Sequence, residues 1–249
     1  MLTREQGAAV AEEFFREAGR ADLETLDVAT ILAAQRKAAS LDLGDRNAPG
    51  GRTLGIVEDG ASLAEHPMRV FARGDRRDVP IVLGFARDEA RLWFAIGAMR
   101  LPGSFDELEA EMTRFAGSGE AGGRLHRFYR ARFPAHGPAE LREAFLTDAV
   151  YVAPALRTAM THAQAGGRAF LYRFDATPPG EFAKLGASHG FDEAFVWNQP
   201  QAAIGGAGDG ALAGALSSAL LSFTRDASPG WSGVEAGSVR VFGSEAEEV

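Results

Sequence analysis

The stretch Val79-Pro80-Ile81-Val82-Leu83-Gly84 decides the fold, because it is a short and continuous apolar run that ends in glycine. Such a run is typical of a strand that is buried on both faces, as parallel sheets require. Two further runs, Ala169–Phe174 and Ser238–Phe242, also have the composition of strands. Helical patterns separate the three runs. This alternation predicts an α/β fold with a mainly parallel sheet of few strands and flanking helices.

The edges of this sheet raise a second expectation. A parallel sheet of three strands has two open edges, and residues 79–84 are too apolar for an edge that faces water. We therefore expect that a further segment belongs beside this strand. We also expect that a chain with the edge exposed can self-associate there.

Specific residues mark the ends of the predicted helices. Thr3-Arg4-Glu5-Gln6 has the pattern of a capping box, and Gly19 supplies a stop for the helix that follows it. Pro154 is expected to mark a break or a new first turn within a longer helical pattern. Residues 43–52 are rich in glycine, aspartate and proline and predict a loop. The other predicted helices cover residues 25–39, 123–133, 138–163 and 211–223, and one more begins at a second capping box, Ser104-Phe105-Asp106-Glu107.

The composition excludes several classes of protein. The chain has 249 residues and a formal net charge of -8, which argues against nucleic-acid binding, because neutralising phosphates needs clustered Lys and Arg. It has no Cys, which excludes disulfides, thiolate chemistry and cysteine-ligated metals. No signal-peptide core or membrane-length apolar run is present, so we expect a cytoplasmic protein without membrane contact. No metal or cofactor is expected, and a solvated or capping role is predicted for the histidines that share no metal-ligand spacing: His66, His126, His136 and His162.

Polar groups of catalytic type follow two of the predicted strands. Asp88 and Glu89 come shortly after the first strand, and His189 comes after the second. Because functional loops of open parallel sheets lie at the carboxyl ends of strands, the acid and the histidine can meet there. A carboxylate bound to one imidazole nitrogen fixes the tautomer and leaves the other nitrogen to act as a general base. In α/β-hydrolases the triad runs in the order Ser, acid, His, so a serine is expected upstream of Glu89.

The residues around both motifs resemble those of the type B carboxylesterases, the family that includes cholinesterases and bacterial p-nitrobenzyl esterases. The acid motif of that family is a strand ending in Gly, then Asp-Glu-Gly and aromatics, and here it reads Leu83-Gly84, Asp88-Glu89-Ala90 and Phe94. Its histidine motif is Gly-x-x-His-Gly-x-Glu-x-x-Phe-Val, and here it reads Gly186-Ala187-Ser188-His189-Gly190-Phe191-Asp192-Glu193-Ala194-Phe195-Val196. Flanking segments match in the same order: Val57-Glu58-Asp59-Gly60, Thr147-Asp148, Tyr151, Tyr172-Arg173-Phe174, Trp231 and Arg240-Val241-Phe242.

The resemblance implies that residues 1–249 are the C-terminal portion of one α/β-hydrolase domain. It assigns Glu89 as the acid and His189 as the base of a Ser-Glu-His triad that hydrolyses a small carboxylic ester. The family's N-terminal half, with its oxyanion loop and Gly-x-Ser-x-Gly elbow, is then expected to come from elsewhere, so the chain alone is expected to be inactive. Two positions depart from the family pattern, because Ala90 replaces a usual Gly and Asp192 replaces a usual Glu; we expect Asp192 to be structural.

Several alternatives remain open at this stage. Asp88 competes with Glu89 as the acid, and Glu89 alone could be an ordinary carboxylate at a helix N-terminus. Residues 186–190 match Gly-x-Ser-x-Gly, but a nucleophile elbow needs a strand directly before Ser188 and a helix directly after it. The chain could also be a catalytically inactive remnant that serves as an interaction module, or an unrelated α/β protein whose acid and histidine match by accident.

Overall fold

The computed structural model describes residues 1–19, 22–40, 54–99, 101–206, 209–243 and 247–248. The loop predicted over residues 43–52 lies outside them. Among the described residues the strands are β1 (Ile81–Ala86), β2 (Ala169–Phe174), β3 (Arg240–Phe242) and β4 (Glu247–Glu248). The helices are α1 (Arg4–Ala18), α2 (Val28–Ser40), α3 (Pro67–Arg73), α4 (Arg91–Ala95), α5 (Phe105–Ala116), α6 (Gly119–Arg132), α7 (Pro138–Thr147), α8 (Ala153–Gln164), α9 (Glu193–Val196) and α10 (Gly210–Asp226).

The sheet has the strand order β1-β2-β3-β4. β1 and β2 are parallel and pair from Ile81 opposite Ala169 to Ala86 opposite Phe174, so both strands end at the same level. β3 is parallel to β2, and β4 is antiparallel to β3. The predicted α/β fold with a mainly parallel sheet is confirmed. The sequence analysis missed β4, because a two-residue strand leaves no periodic pattern.

β1 occupies an edge of this sheet. Within the part of the chain that the structure describes, it pairs with β2 alone. Its first three side chains are only partly buried, whereas β2 is buried along almost its whole length. Val79, just before β1, is 51% exposed. The expected burial on both faces is met in part. Val82 packs against one core, and Ile81 and Leu83 pack against the other, but all three stay partly exposed, because one edge of β1 has no neighbouring strand among the described residues.

The two faces of the sheet are covered by different helices. Alternate side chains of β2 point to opposite faces, as the pleat requires. Phe170 and Phe174 belong to a core formed with α10 and Trp231. Leu171 belongs to a second core, formed with α8 and Phe85 of β1. Both cores fix β1 and β2 relative to each other, and therefore fix the loops that follow them.

The long helix predicted over residues 138–163 is interrupted. α7 ends at Thr147, and a single π-helical turn over Asp148–Val152 leads into α8. Pro154 stands in the first turn of α8, as predicted, where a missing N–H is tolerated. The extra residue of the π turn changes which side chains point toward the sheet, and such turns are frequent at functional sites.

The chain divides into two compact units. One comprises Met1–Pro67 and Asp106–Phe128, and in it α1 packs against α2. The capping box predicted at Thr3 is present, and Gly19 ends α1 in the left-handed conformation with φ of 70°. The other unit comprises Met68–Phe105 and Tyr129–Val249 and contains the sheet.

Two of the histidines differ from expectation. His162 is 1% exposed, and its Nε2 lies 3.0 Å from the Val79 carbonyl oxygen. His126 is 8% exposed, and its Nδ1 lies 3.0 Å from Glu109 Oε2. The solvated or capping role predicted for both is wrong, because each ring is buried and its hydrogen-bond partner is not a carbonyl at the end of its own helix. Among the described residues, no helix combines the length and apolar character needed to cross a membrane.

Candidate active site

The structure brings Glu89 and His189 into direct contact. β1 ends at Ala86 and β2 ends at Phe174, and the loops that follow leave the same edge of the sheet. In these loops Glu89 Oε2 lies 2.7 Å from His189 Nδ1. This is the distance of a short hydrogen bond between a carboxylate and an imidazole N–H.

The two oxygens of Glu89 have separate partners. The residue is 5% exposed, and its Oε1 accepts a hydrogen bond of 2.7 Å from the backbone N–H of Ala86. The backbone donor can only donate, so it fixes which way the carboxylate faces. Oε2 is thereby directed at His189, and the buried acid is satisfied on both sides.

The ring of His189 packs against two aromatic side chains. Its centroid is 5.3 Å from that of Trp93 and 5.1 Å from that of Tyr151. Trp93 Nε1–H donates a hydrogen bond of 2.8 Å to the Tyr151 hydroxyl, which ties the two aromatics together. The side chain of His189 is 43% exposed. Because Glu89 contacts Nδ1, Nε2 is the ring nitrogen that has the geometry to act as a general base.

Sequence reasoning did not select Trp93 and Tyr151 as site residues. Trp93 follows the acid within the same loop and α4, which is a signal that could have found it. Tyr151 belongs to the π turn, and its orientation depends on the one extra residue in that turn. The same segment places Thr147, whose hydroxyl accepts a hydrogen bond of 3.1 Å from the N–H of Ala90.

A second carboxylate, which is partly buried, lies near the acid. Asp192 Oδ2 accepts a hydrogen bond of 3.0 Å from the Tyr172 hydroxyl. Burial raises the pKa of Asp192, the Tyr172 hydrogen bond opposes this, and the negative charge of Glu89 raises the pKa further. Burial and the charge of Asp192 in turn raise the pKa of Tyr172. The structural role expected for Asp192 agrees with its contact to Tyr172. The carboxyl groups of Asp192 and Glu89 are close enough for the charge of Glu89 to affect the pKa of Asp192.

Ser188 does not have the surroundings of a nucleophile elbow. It is fully buried, and its Oγ has no hydrogen-bond partner among the described residues. The segment directly before it is a 3-10 turn over Gly180–Leu185, and the helix after it begins only at Glu193. An elbow presents its serine at a sharp turn between a strand and a helix, which this segment lacks.

A cavity of about 1160 Å³ borders the loop that follows β1. Its lining includes Asp88 and Arg91 and combines apolar side chains with both signs of charge, including Phe85, Arg173 and Glu143. Burial raises the pKa of Glu143, and the charge of Arg91 opposes the rise. Among the described residues, no group of three or more His, Asp or Glu side chains is arranged to hold a metal ion.

The residues on both sides of this site identify the family. A family model described as the carboxylesterase family matches residues 16–230. The chain belongs to the carboxylesterase family. The predicted resemblance is therefore confirmed over most of the chain, including the loops that carry Glu89 and His189.

Solved carboxylesterase structures share the fold. The carboxylesterase EST55 of Geobacillus stearothermophilus at pH 6.2 superposes with a TM-score of 0.79 at 25% sequence identity, over 100% of this chain and 53% of that one. A structure described as a PNB esterase superposes with a TM-score of 0.78 at 21% identity, over 100% and 53% of the two chains. These matches confirm the predicted α/β-hydrolase fold. The chain spans about half the length of the structures that it matches.

Proposed function

We propose that this chain supplies the acid and the base of a serine carboxylesterase, with Glu89 as the acid and His189 as the base. The observation that carries the proposal is the 2.7 Å contact between Glu89 Oε2 and His189 Nδ1. The carboxylate is buried and oriented by a backbone donor, as a group that orients a catalytic histidine must be. The proposed substrate is a small carboxylic ester, and neither a cofactor nor a metal takes part.

In the proposed reaction, His189 Nε2 takes the proton of a serine hydroxyl as the serine oxygen attacks the ester carbonyl carbon. The imidazolium that forms is stabilised by the Glu89 carboxylate. It then gives the proton to the departing alkoxide, and an acyl-enzyme and an alcohol result. In the second half, Nε2 takes a proton from water, the hydroxide attacks the acyl carbon, and the proton returns to the serine.

We propose that the nucleophilic serine is not one of residues 1–249. Ser188, the residue within a Gly-x-Ser-x-Gly pattern, is buried and lacks the strand that an elbow requires. The serine would come from a segment like the other half of the family's domain, either upstream in the same polypeptide or on a separate chain.

The open edge of β1 supports a place for that segment. β1 is apolar and only partly buried, and within the described residues it pairs with a neighbouring strand on one side. A parallel strand from the serine-bearing segment would complete the hydrogen bonds of β1. Where the segment is missing, we propose that the edge self-associates, and size-exclusion chromatography with and without the segment measures this.

A cytoplasmic location remains a prediction.

Hydrolysis of p-nitrophenyl acetate by residues 1–249 tests the proposal. We expect the wild-type chain to be no faster than His189→Ala, and a fluorophosphonate probe to leave Ser188 unlabelled. A robust rate that depends on His189, with the probe on Ser188, would overturn the assignment of the serine to another segment. The alternative of an inactive interaction module predicts that adding a serine-bearing segment gives no hydrolysis that depends on His189.

A further inference from the structure

Asp88 has a different role from its neighbour Glu89, although the sequence makes both candidates for the acid. Its backbone N–H donates a hydrogen bond of 2.8 Å to the carbonyl oxygen of Ala187. The N–H of Ala187 donates a hydrogen bond of 3.0 Å to Asp88 Oδ2. This reciprocal pair joins the loop after β1 to the loop after β2. It lies next to Glu89 on one side and two residues before His189 on the other.

The carboxylate of Asp88 is itself held in place. Its Oδ1 lies 3.0 Å from a terminal nitrogen of Arg91, and Arg91 Nε donates a hydrogen bond of 2.7 Å to Glu143 of α7. The side chain of Asp88 is 14% exposed, and that of Glu143 is 19% exposed. Two partly buried ion pairs that share one arginine resist rearrangement better than an isolated surface pair does. Asp88 is therefore anchored to α7 while it binds the histidine loop.

Gly186 shows that the loop is fitted to this carboxylate. Its φ of 61° lies in the left-handed region that favours glycine. A Cβ at this position would overlap the Asp88 carboxylate and the guanidinium of Arg91. Ala187, the next residue, is fully buried. The backbone of the loop before His189 therefore lies so close to Asp88 that no side chain fits between them at position 186.

We propose that Asp88 is a positioning residue that holds the His189 loop so that Nδ1 faces Glu89. The inference rests on the proposed function only for its consequence in ester hydrolysis. In structural terms, the contact between Glu89 and His189 depends on the two hydrogen bonds between Asp88 and Ala187.

His189 is 43% exposed and lies in a turn. Its ring packs against Trp93 and Tyr151, but these contacts do not hold the backbone of its loop, whereas the pair between Asp88 and Ala187 does. Catalytic contacts need support to within a fraction of an ångström.

The tautomer of His189 reports the contact without any substrate. Two-bond ¹H–¹⁵N correlation spectra of the imidazole rings distinguish the Nδ1–H from the Nε2–H form, and His189→Ala assigns the signal. The full 249-residue chain is measured at about pH 8.5, well above the ordinary titration of a histidine. We expect the wild-type ring in the Nδ1–H form, because Glu89 accepts that proton.

The variants separate positioning from charge. We expect Asp88→Ala to shift His189 to the Nε2–H form or to a mixture. Asp88→Asn has one acceptor oxygen in place of the two that bind Ala187 N–H and Arg91. We expect the oxygen to face the N–H of the buried Ala187 and the NH₂ group to face Arg91, which is 34% exposed and keeps Glu143 as a partner, so the Nδ1–H form should be kept.

Asp175→Ala is the matched control. Asp175 is a 16% exposed carboxylate that pairs with Arg173. It also lies 3.8 Å from Arg87, which binds Asp88 as well. Its removal changes the nearby charge but leaves the acceptor for Ala187, so the variant should keep the Nδ1–H form.

Each outcome decides one question. A wild-type ring in the Nε2–H form would reject the pair between Glu89 and His189, and with it the proposed function. A wild-type Nδ1–H ring that persists in Asp88→Ala would overturn the role of Asp88 alone. If Asp88→Ala loses its folded amide spectrum, Gly186→Ala decides, because it displaces the carboxylate without deleting it: loss of the Nδ1–H form supports the proposal, and retention overturns it.

Discussion

Replacing Glu89 by glutamine tests how the acid controls the base. The carboxylate offers two equivalent oxygens, whereas the carboxamide has one oxygen and one NH₂ group. Ala86 N–H can only donate, and it lies 2.7 Å from Oε1, so the amide oxygen of Glu89→Gln must face it. The NH₂ group then faces His189 Nδ1. Two donors cannot pair, so the ring must move its proton to Nε2 in order to accept.

The expected energies differ sharply between two substitutions. In Glu89→Gln both hydrogen bonds persist as neutral ones, so the free energy of unfolding should fall by only about 1–2 kcal/mol. In Glu89→Ala the buried N–H of Ala86 loses its acceptor, which adds about 1–3 kcal/mol of desolvation cost. The glutamine variant should nevertheless lose the base function, because a protonated Nε2 has no lone pair with which to accept the proton of the serine hydroxyl. In a complemented enzyme we expect a loss in kcat on the order of 10⁴, the size seen when a triad acid is replaced by its amide.

Urea unfolding and the imidazole correlation spectrum measure the two effects separately. We expect Glu89→Gln to be folded, nearly as stable as the wild type, and in the Nε2–H form at His189. A glutamine variant that keeps the Nδ1–H form would refute the reasoning. So would a Glu89→Ala variant that is no less stable than Glu89→Gln.

Three further predictions concern the surroundings of the pair. Gly84→Ala should destabilise by about 1–3 kcal/mol, because the new methyl overlaps the ring of Tyr172, whereas Gly214→Ala in α10 meets open space and should be neutral or stabilising in the same denaturation assay. Burial raises the pKa of Asp192, so the stability that its carboxyl group contributes is complete below the ordinary pKa of about 4 and is lost as the pH rises through the folded-state pKa. The stability of Asp192→Asn relative to the wild type should therefore increase as the pH rises above about 4, and a pH-independent difference in urea midpoints would contradict this. Phe174→Ala removes a fully buried ring beneath the histidine loop and should cost about 3–5 kcal/mol, and a loss below about 1 kcal/mol would mean that this core does not support the loop.

The features that could be predicted from the sequence are those with local signals. β2 was placed over its full length, because Ala169–Phe174 is an uninterrupted run of strand formers. α1 was placed through its capping box and its terminal Gly19. Glu89 and His189 could be paired in advance, because both follow strands that end at the same edge of the sheet.

Features that depend on contacts between distant segments could not be predicted. The sequence makes both Asp88 and Glu89 candidates for the acid. The register of β1 against β2 places the two loops side by side, where Asp88 binds the backbone of Ala187 and Glu89 binds the imidazole of His189. The π turn that orients Tyr151 has no sequence signature beyond the nearby Pro154. The exposure of β1 depends on which segment lies beside it. The apolar composition of β1 predicts a buried strand and carries no information about whether a neighbouring strand is present.

Reconstitution tests the central claim most directly. Residues 1–249 would be joined in one polypeptide to the nucleophile-bearing half of a carboxylesterase such as EST55, in place of the half that this chain matches. Hydrolysis of p-nitrophenyl acetate and fluorophosphonate labelling are then compared between the wild-type sequence and His189→Ala. The account predicts hydrolysis and labelling at the elbow serine that both require His189. Hydrolysis that is equally fast in His189→Ala, or a label on Ser188, would contradict it.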